Sequence, residues 1–198
     1  EKNFEISEVN VIGKGNPLST VAKIDLKTKP VTSSQQLLRR VPGLFIAQHA
    51  GGGKAEQIFL RGFDIDHGTD ISLSVDGIPV NMVSHAHGQG YADLHFVIPE
   101  TVKQIDFGKG PYNTDKGNFA TAGYVDFNTI DNPENSFFNL EAGDFNTYRA
   151  SGIAKLTKES TKNIAYLASE YLYSDGPFIS PQNFNRFNVF GKYTHLSD

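Results

Sequence analysis

The 198-residue chain sets 18 Lys and Arg against 22 Asp and Glu, a formal charge of −4 with no basic block, which excludes nucleic acid as a partner. It has no cysteine, which excludes disulfides and thiolate metal sites. No apolar run reaches the roughly 18 residues of a transmembrane helix, so any membrane role requires strands, and 15 Phe, 8 Tyr and 19 Gly suit short strands and tight turns.

The first residues after Glu1 are charged and polar and encode no signal peptide, so an export signal is expected to have been removed. Ile6, Val9, Val11 and Ile12 alternate ahead of the turn signal Gly13-Lys14-Gly15-Asn16-Pro17 and predict an edge strand. Ser33 and Gln36 have the spacing of a capping box, and Leu37, Leu38 and Val41 give the helix that follows a narrow apolar stripe. Val41-Pro42-Gly43 stops it, because Pro lacks a donor and Gly tolerates the backbone just past a helix end.

Strands are predicted over 45–48, 57–60 and 71–75. Arg61-Gly62 closes the second, and Asp76-Gly77 turns the third into Ile78-Pro79-Val80. A strand over 102–107 runs into Lys109-Gly110-Pro111, where Gly permits close approach and Pro fixes the next turn, and a further strand covers 123–127. These elements make a small mixed α+β unit, assigned to residues 1–130.

After Asp131-Asn132-Pro133 the pattern changes. Tyr148, Ala150, Gly152, Ala154 and Leu156 share one face, opposed by Thr147, Arg149, Ser151, Lys155 and Thr157, with Ile153 as the exception. A period of two over this length suits a tilted membrane-spanning strand. Four strands are predicted in 131–198, over 137–145, 147–157, 163–173 and 185–195; the third alternates less cleanly, and Glu170 must face away from lipid if it is inserted. A membrane barrel needs about eight strands at least. The expected fold is therefore an α+β unit followed by antiparallel transmembrane β-barrel strands, an incomplete barrel and hence a fragment.

No catalytic constellation is expected. Ser84, His85 and Asp93 assemble only on paper, since no G-x-S-x-G elbow occurs. Gly51-Gly52-Gly53-Lys54 lacks the Ser or Thr of a phosphate loop. His85 and His87 flank one residue and would point to the same side of an extended segment, so with Asp93 and His95 they could hold a metal or metal chelate. The alternative is a polar loop whose imidazoles bond to the backbone. His67, among Asp64, Asp66 and Asp70, suits a solvated turn.

The order of VPG after a helix, RG after a strand, the DG-Ile-Pro turn and the Val102–Phe107 strand leading to Lys109-Gly110-Pro111 resembles the plug domain of TonB-dependent outer-membrane receptors. Val102-Lys103-Gln104-Ile105-Asp106-Phe107 departs from the family's acidic and arginine pattern at Lys103 and Gln104, which leaves Arg61 and Asp106 as the candidates for a plug–barrel latch. The resemblance implies a gated importer of a scarce ligand such as a metal chelate, metal ion, cobalamin or glycan. Its implied partners are a TonB-type energy-coupling protein, outer-membrane lipid and the ligand, with no cofactor. Glu8-Val9-Asn10-Val11 resembles the segment that pairs with the coupling protein by strand addition, and equally reads as the plug's own first strand. The rival reading is a soluble periplasmic or surface ligand-binding module without transport.

Overall fold

The structure, a computed structural model, describes residues 19–24, 26, 31, 33–48, 52–65, 70–86, 90–158 and 162–196. In chain order these form β1 (Ser19–Lys23), a 3-10 helix (Ser34–Arg40), β2 (Leu44–Ala47), β3 (Gln57–Leu60), β4 (Phe63–Ile65), β5 (Ile71–Val75) and β6 (Ile78–Pro79). There follow a 3-10 turn (Pro99–Thr101), β7 (Val102–Lys109), a 3-10 turn (Thr114–Lys116), β8 (Gly123–Thr129), β9 (Phe137–Gly143), β10 (Thr147–Lys155), β11 (Asn163–Ser174) and β12 (Phe184–His195). The edge strand predicted over 6–12 lies outside the described residues.

Two dipeptides make the tight hairpins of the first half. Asp76 and Gly77 have φ of 49° and 80°, and Arg61 and Gly62 have 55° and 81°. Two successive positive-φ residues give the hairpin turn whose twist matches that of the flanking strands. Arg61-Gly62 thus does more than end a strand, since it folds β3 back onto the short β4 that the sequence reading did not mark.

The helix before Pro42 is 3-10 throughout. Ser33 is its N-cap but makes no side-chain capping bond, so the expected capping box does not form; the Gln36 N–H reaches the Ser33 carbonyl instead, at 3.2 Å. Ser34 is the residue whose hydroxyl is used, donating to the Leu94 carbonyl and tying the helix to the loop before Pro99.

A five-stranded sheet runs in the order β1-β7-β8-β5-β6, with β5 and β8 parallel and the other pairs antiparallel. One face is apolar: Ala22, Ile105, Phe107, Val125, Phe127, Ile71 and Leu73 pack with Leu37 and Leu38 of the helix and with Leu44, Ile46, Ile58 and Leu60 of the three-stranded sheet β2-β3-β4. The other face is polar, and there Asp126 lies opposite Asp106. Lys116 pairs with Asp126 at 2.6 Å and lies 4.5 Å above the Tyr124 ring, whose hydroxyl donates to Asp106 at 3.2 Å. Beyond the two residues of β6, Asn81 continues the ladder with its side chain. Its Oδ1 accepts from the Leu73 N–H at 2.7 Å and its Nδ2 donates to the Ile71 carbonyl at 2.8 Å.

The four remaining strands form an up-and-down antiparallel meander, β12-β11-β10-β9. Register puts Leu140, Ala150, Tyr171 and Phe187 side by side on its outer face, with Leu140 76% and Phe187 68% exposed. Arg149, Ser151, Ile153, Tyr166, Ala168 and Glu170 point the other way and are buried. Their cover is Ile98 and Glu100 of the segment before β7.

Candidate functional site

The inward face of the meander carries its charges at a spacing of two residues, and buried charges require partners. The Arg149 side chain is 1% exposed. Its Nη1 and Nη2 donate to the two Glu100 carboxylate oxygens at 2.7 and 2.6 Å, the forked geometry that suits guanidinium and carboxylate. Arg149 Nη1 also reaches Glu141 at 2.6 Å and Nε reaches Glu170 at 2.7 Å. Glu170 is fully buried and accepts further bonds from Arg186 and Asn188, each at 3.0 Å. Ser151 donates to Glu100 at 2.9 Å, and Asn188 donates to the His95 carbonyl at 2.7 Å. Glu170 faces away from the outer surface as its charge demands.

A second ionic contact lies at Lys192 of β12. Its ammonium is 3.2 Å from Asp76, 2.9 Å from Asp131 and 2.8 Å from the Thr129 hydroxyl. Asp76 also accepts from the Thr129 N–H at 2.8 Å and from the Thr129 hydroxyl. The turn residue that folds the β5–β6 hairpin therefore also holds the meander. Burial pushes the Glu100 carboxyl up, but the bonds and charge of Arg149, helped by Ser151, outweigh it and hold the group below its ordinary value. Asp76 is likewise held low, its burial being outweighed by Thr129 and Lys192.

Between the two ionic contacts lies an apolar patch in which Ile98 packs against Ile153, Tyr166 and Ala168, with Phe190 beside them. Ile153, the exception in the β10 alternation, is thus the inward apolar residue that receives Ile98. Glu100 is unmarked in the sequence, and Arg149 and Lys192 are marked there only as polar-face residues and not as contacts to the plug. The legible hint was that Arg149, Glu170 and Lys192 share the polar parity of their strands, but parity alone names no partner across the chain.

The other anticipated residues are placed as follows. Pro42 and Gly43 form the exit from the helix, with Gly43 at φ 79°. Gly110, between Lys109 and Pro111, could not carry a Cβ, which would lie 2.7 Å from the Tyr112 ring and 3.0 Å from Arg61 Nη1. Arg61 is exposed, and Asp106 is half-buried on β7, where it accepts from the Tyr124 hydroxyl at 3.2 Å. His85 stacks on Tyr91 with ring centroids 4.2 Å apart, and the Tyr91 hydroxyl accepts from the Ala55 N–H at 3.0 Å. His95 Nδ1 bonds to Asp93, which also accepts the His95 N–H at 2.8 Å. His85 and His95 are therefore committed to different neighbours, and among the described residues no three His, Asp or Glu side chains converge as metal ligands. His87 and the Glu8-Val9-Asn10-Val11 segment lie outside the described residues.

A mixed sheet joined by ion pairs to the charged inner face of an amphipathic antiparallel meander defines a plug seated against barrel strands. Residues 13–124, more than half of the chain, match the TonB-dependent receptor plug domain, and the chain belongs to that family. Among solved structures, the copper transporter OprC aligns with a TM-score of 0.60 at 19% identity over 84% of this chain and 25% of its own. The siderophore receptor PirA from Acinetobacter baumannii aligns at 0.59 and 19%, over 82% of this chain and 25% of its own. PirA from Pseudomonas aeruginosa aligns at 0.59 and 19%, over 92% of this chain and 33% of its own. At these identities the likeness is one of fold. The chain spans between a quarter and a third of the length of these relatives.

Proposed function

We propose that the chain is the plug, residues 1–130, and the first four wall strands, residues 131–198, of an outer-membrane importer that admits a scarce small molecule or metal chelate when its plug is displaced. The observation that carries this reading is the two-sidedness of β10 to β12, with aromatic and aliphatic side chains outward and charges inward that are neutralised by Glu100 and Asp76 of the plug. Lipid suits the first face and a filled lumen suits the second. A soluble binding module would leave Leu140, Tyr148, Tyr171 and Phe187 as a contiguous apolar surface in water.

OprC is a copper transporter and PirA a siderophore receptor, and a metal or metal chelate is accordingly the ligand class we assign. In this reading energy comes from a TonB-type protein that engages Glu8-Val9-Asn10-Val11 and pulls. The turn at 158–162 faces the periplasm and the longer loop at 174–183 faces outward, in keeping with short inner turns and long outer loops. Arg61 and Asp106 meet wall strands that follow β12.

Fractionation of cells producing the full-length protein tests the placement, and recovery in the periplasmic fraction would overturn it. Capture of the full-length receptor on the immobilised C-terminal domain of a TonB-type protein tests the coupling segment. Val9→Pro should abolish capture, because Pro removes a strand donor; undiminished capture would assign the segment to the plug's own first strand.

A further inference from the structure

We infer that the cavity between the 3-10 helix and the inner face of β10 to β12, at their ends nearest the 174–183 loop, binds a small molecule through its carboxylate. The cavity measures about 270 Å³ and is lined by Gln35 and Arg39 of the helix, by Glu56, and by Leu172, Phe184 and Arg186 of the meander, among others. Two of these side chains bring buried donors with no acceptor. Gln35 is 2% exposed; its Oε1 lies 3.2 Å from Ser34 Oγ, whose proton goes to Leu94, while its Nε2 bonds to nothing. The Arg186 side chain is 9% exposed; its Nη2 reaches Glu170 at 3.0 Å, while its Nε bonds to nothing.

Buried donors are nearly always paired, because an unpaired one forfeits its hydration without return. Two such donors from different parts of the chain line one cavity. A carboxylate supplies what both lack: it only accepts, and its two oxygens can take one N–H each from Arg186 and Gln35. Arg39 lies in the lining with Glu56, while Arg186 is already paired with Glu170, so the incoming carboxylate is held by the orphan N–H groups and not by an excess of charge. Leu172 and Phe184 give an apolar wall for a short carbon chain. The volume lies just under the range of pockets for drug-sized ligands, which limits the occupant to a small acid.

The test is calorimetric titration of the full-length receptor in detergent with succinate and with its neutral diamide, succinamide. Succinate should bind at least tenfold more tightly than succinamide. Gln35→Leu, which removes one orphan donor and leaves the Arg149 cluster untouched, should weaken succinate about tenfold, and Gln35→Glu should abolish binding by repulsion while keeping the side-chain size. Circular dichroism and heat-modifiable migration establish that both variants fold. Equal binding of acid and diamide, succinate binding unchanged in Gln35→Leu, or no succinate binding at millimolar concentration would each overturn the inference. The measurement reads binding and not import, so its failure leaves the transport reading standing.

Discussion

Glu100 and Arg149, 49 residues apart in sequence, face each other through two hydrogen bonds of 2.6 and 2.7 Å. Their removal has unequal consequences, because Arg149 has two further carboxylates and Glu100 has no second cation at comparable range among the described residues. Arg149→Ala leaves Glu100 with no cation among the described residues and Glu170 with Arg186 alone, and should cost about 3 to 5 kcal/mol, the penalty for breaking a buried ion pair on one side. Glu100→Ala leaves the guanidinium paired and should cost about 1.5 to 3 kcal/mol, the worth of bonds to a charged group. Denaturant unfolding of the full-length protein in detergent gives both values; an equal or reversed order would remove the sharing of Arg149 as the explanation.

Acid should loosen the same contact. Glu100 is held below its ordinary 4.5 in the folded protein, so the folded state binds fewer protons there than the unfolded one. The stability it contributes is complete above about pH 4.5 and is lost as pH falls through the lower folded value. Asp76, held below its ordinary 3.8, behaves the same way in a lower window. The unfolding midpoint should stay level from neutral pH to about 5 and then fall, and Glu100→Gln should show a shallower fall. A parallel decline in wild type and variant would assign the acid sensitivity elsewhere.

Cysteine labelling reads the topology directly, since the chain has no cysteine of its own. In intact cells making the full-length protein, Phe178→Cys should react with an impermeant maleimide and Ser160→Cys should not. The opposite pattern would invert the wall.

Arg61 gives a prediction of a different kind, because its exposed guanidinium projects from a positive-φ turn beside Gly110. If the wall beyond β12 supplies its counter-charge, Arg61→Ala in the full-length receptor should raise single-channel conductance or make it flicker. A silent trace like that of the wild type would mark Arg61 as a solvated turn residue.

The histidine loop should bind zinc only weakly, and alike before and after His85→Ala/His87→Ala, because His85 is engaged by Tyr91 and His95 by Asp93. Calorimetry of the full-length receptor checks this. Loss of a tight zinc site in the double variant would restore the metal reading.

What the sequence disclosed and what it withheld divide along a physical line. Asp76-Gly77 and Val41-Pro42-Gly43 act through their own backbone, so their turns are legible where they stand. The β10 alternation is equally local, and it sets Arg149 on the polar side before any partner is known, while Glu170 on β11 is turned from lipid by its charge. Glu100 gave no local sign, because its role depends on a strand 49 residues away. The capping box has a related lesson: Ser33 makes no side-chain cap, and it is Ser34, one position on, whose hydroxyl is engaged, by a distant acceptor in Leu94.

Asn81 bears on the time before the barrel closes. By lending its amide to Ile71 and Leu73, it occupies backbone groups that a passing chain would otherwise use to dock on that side of the five-stranded sheet. With β6 only two residues long, the side beyond β5 is a poor template. A chain still folding therefore offers a passing strand little to pair with on that side of the sheet.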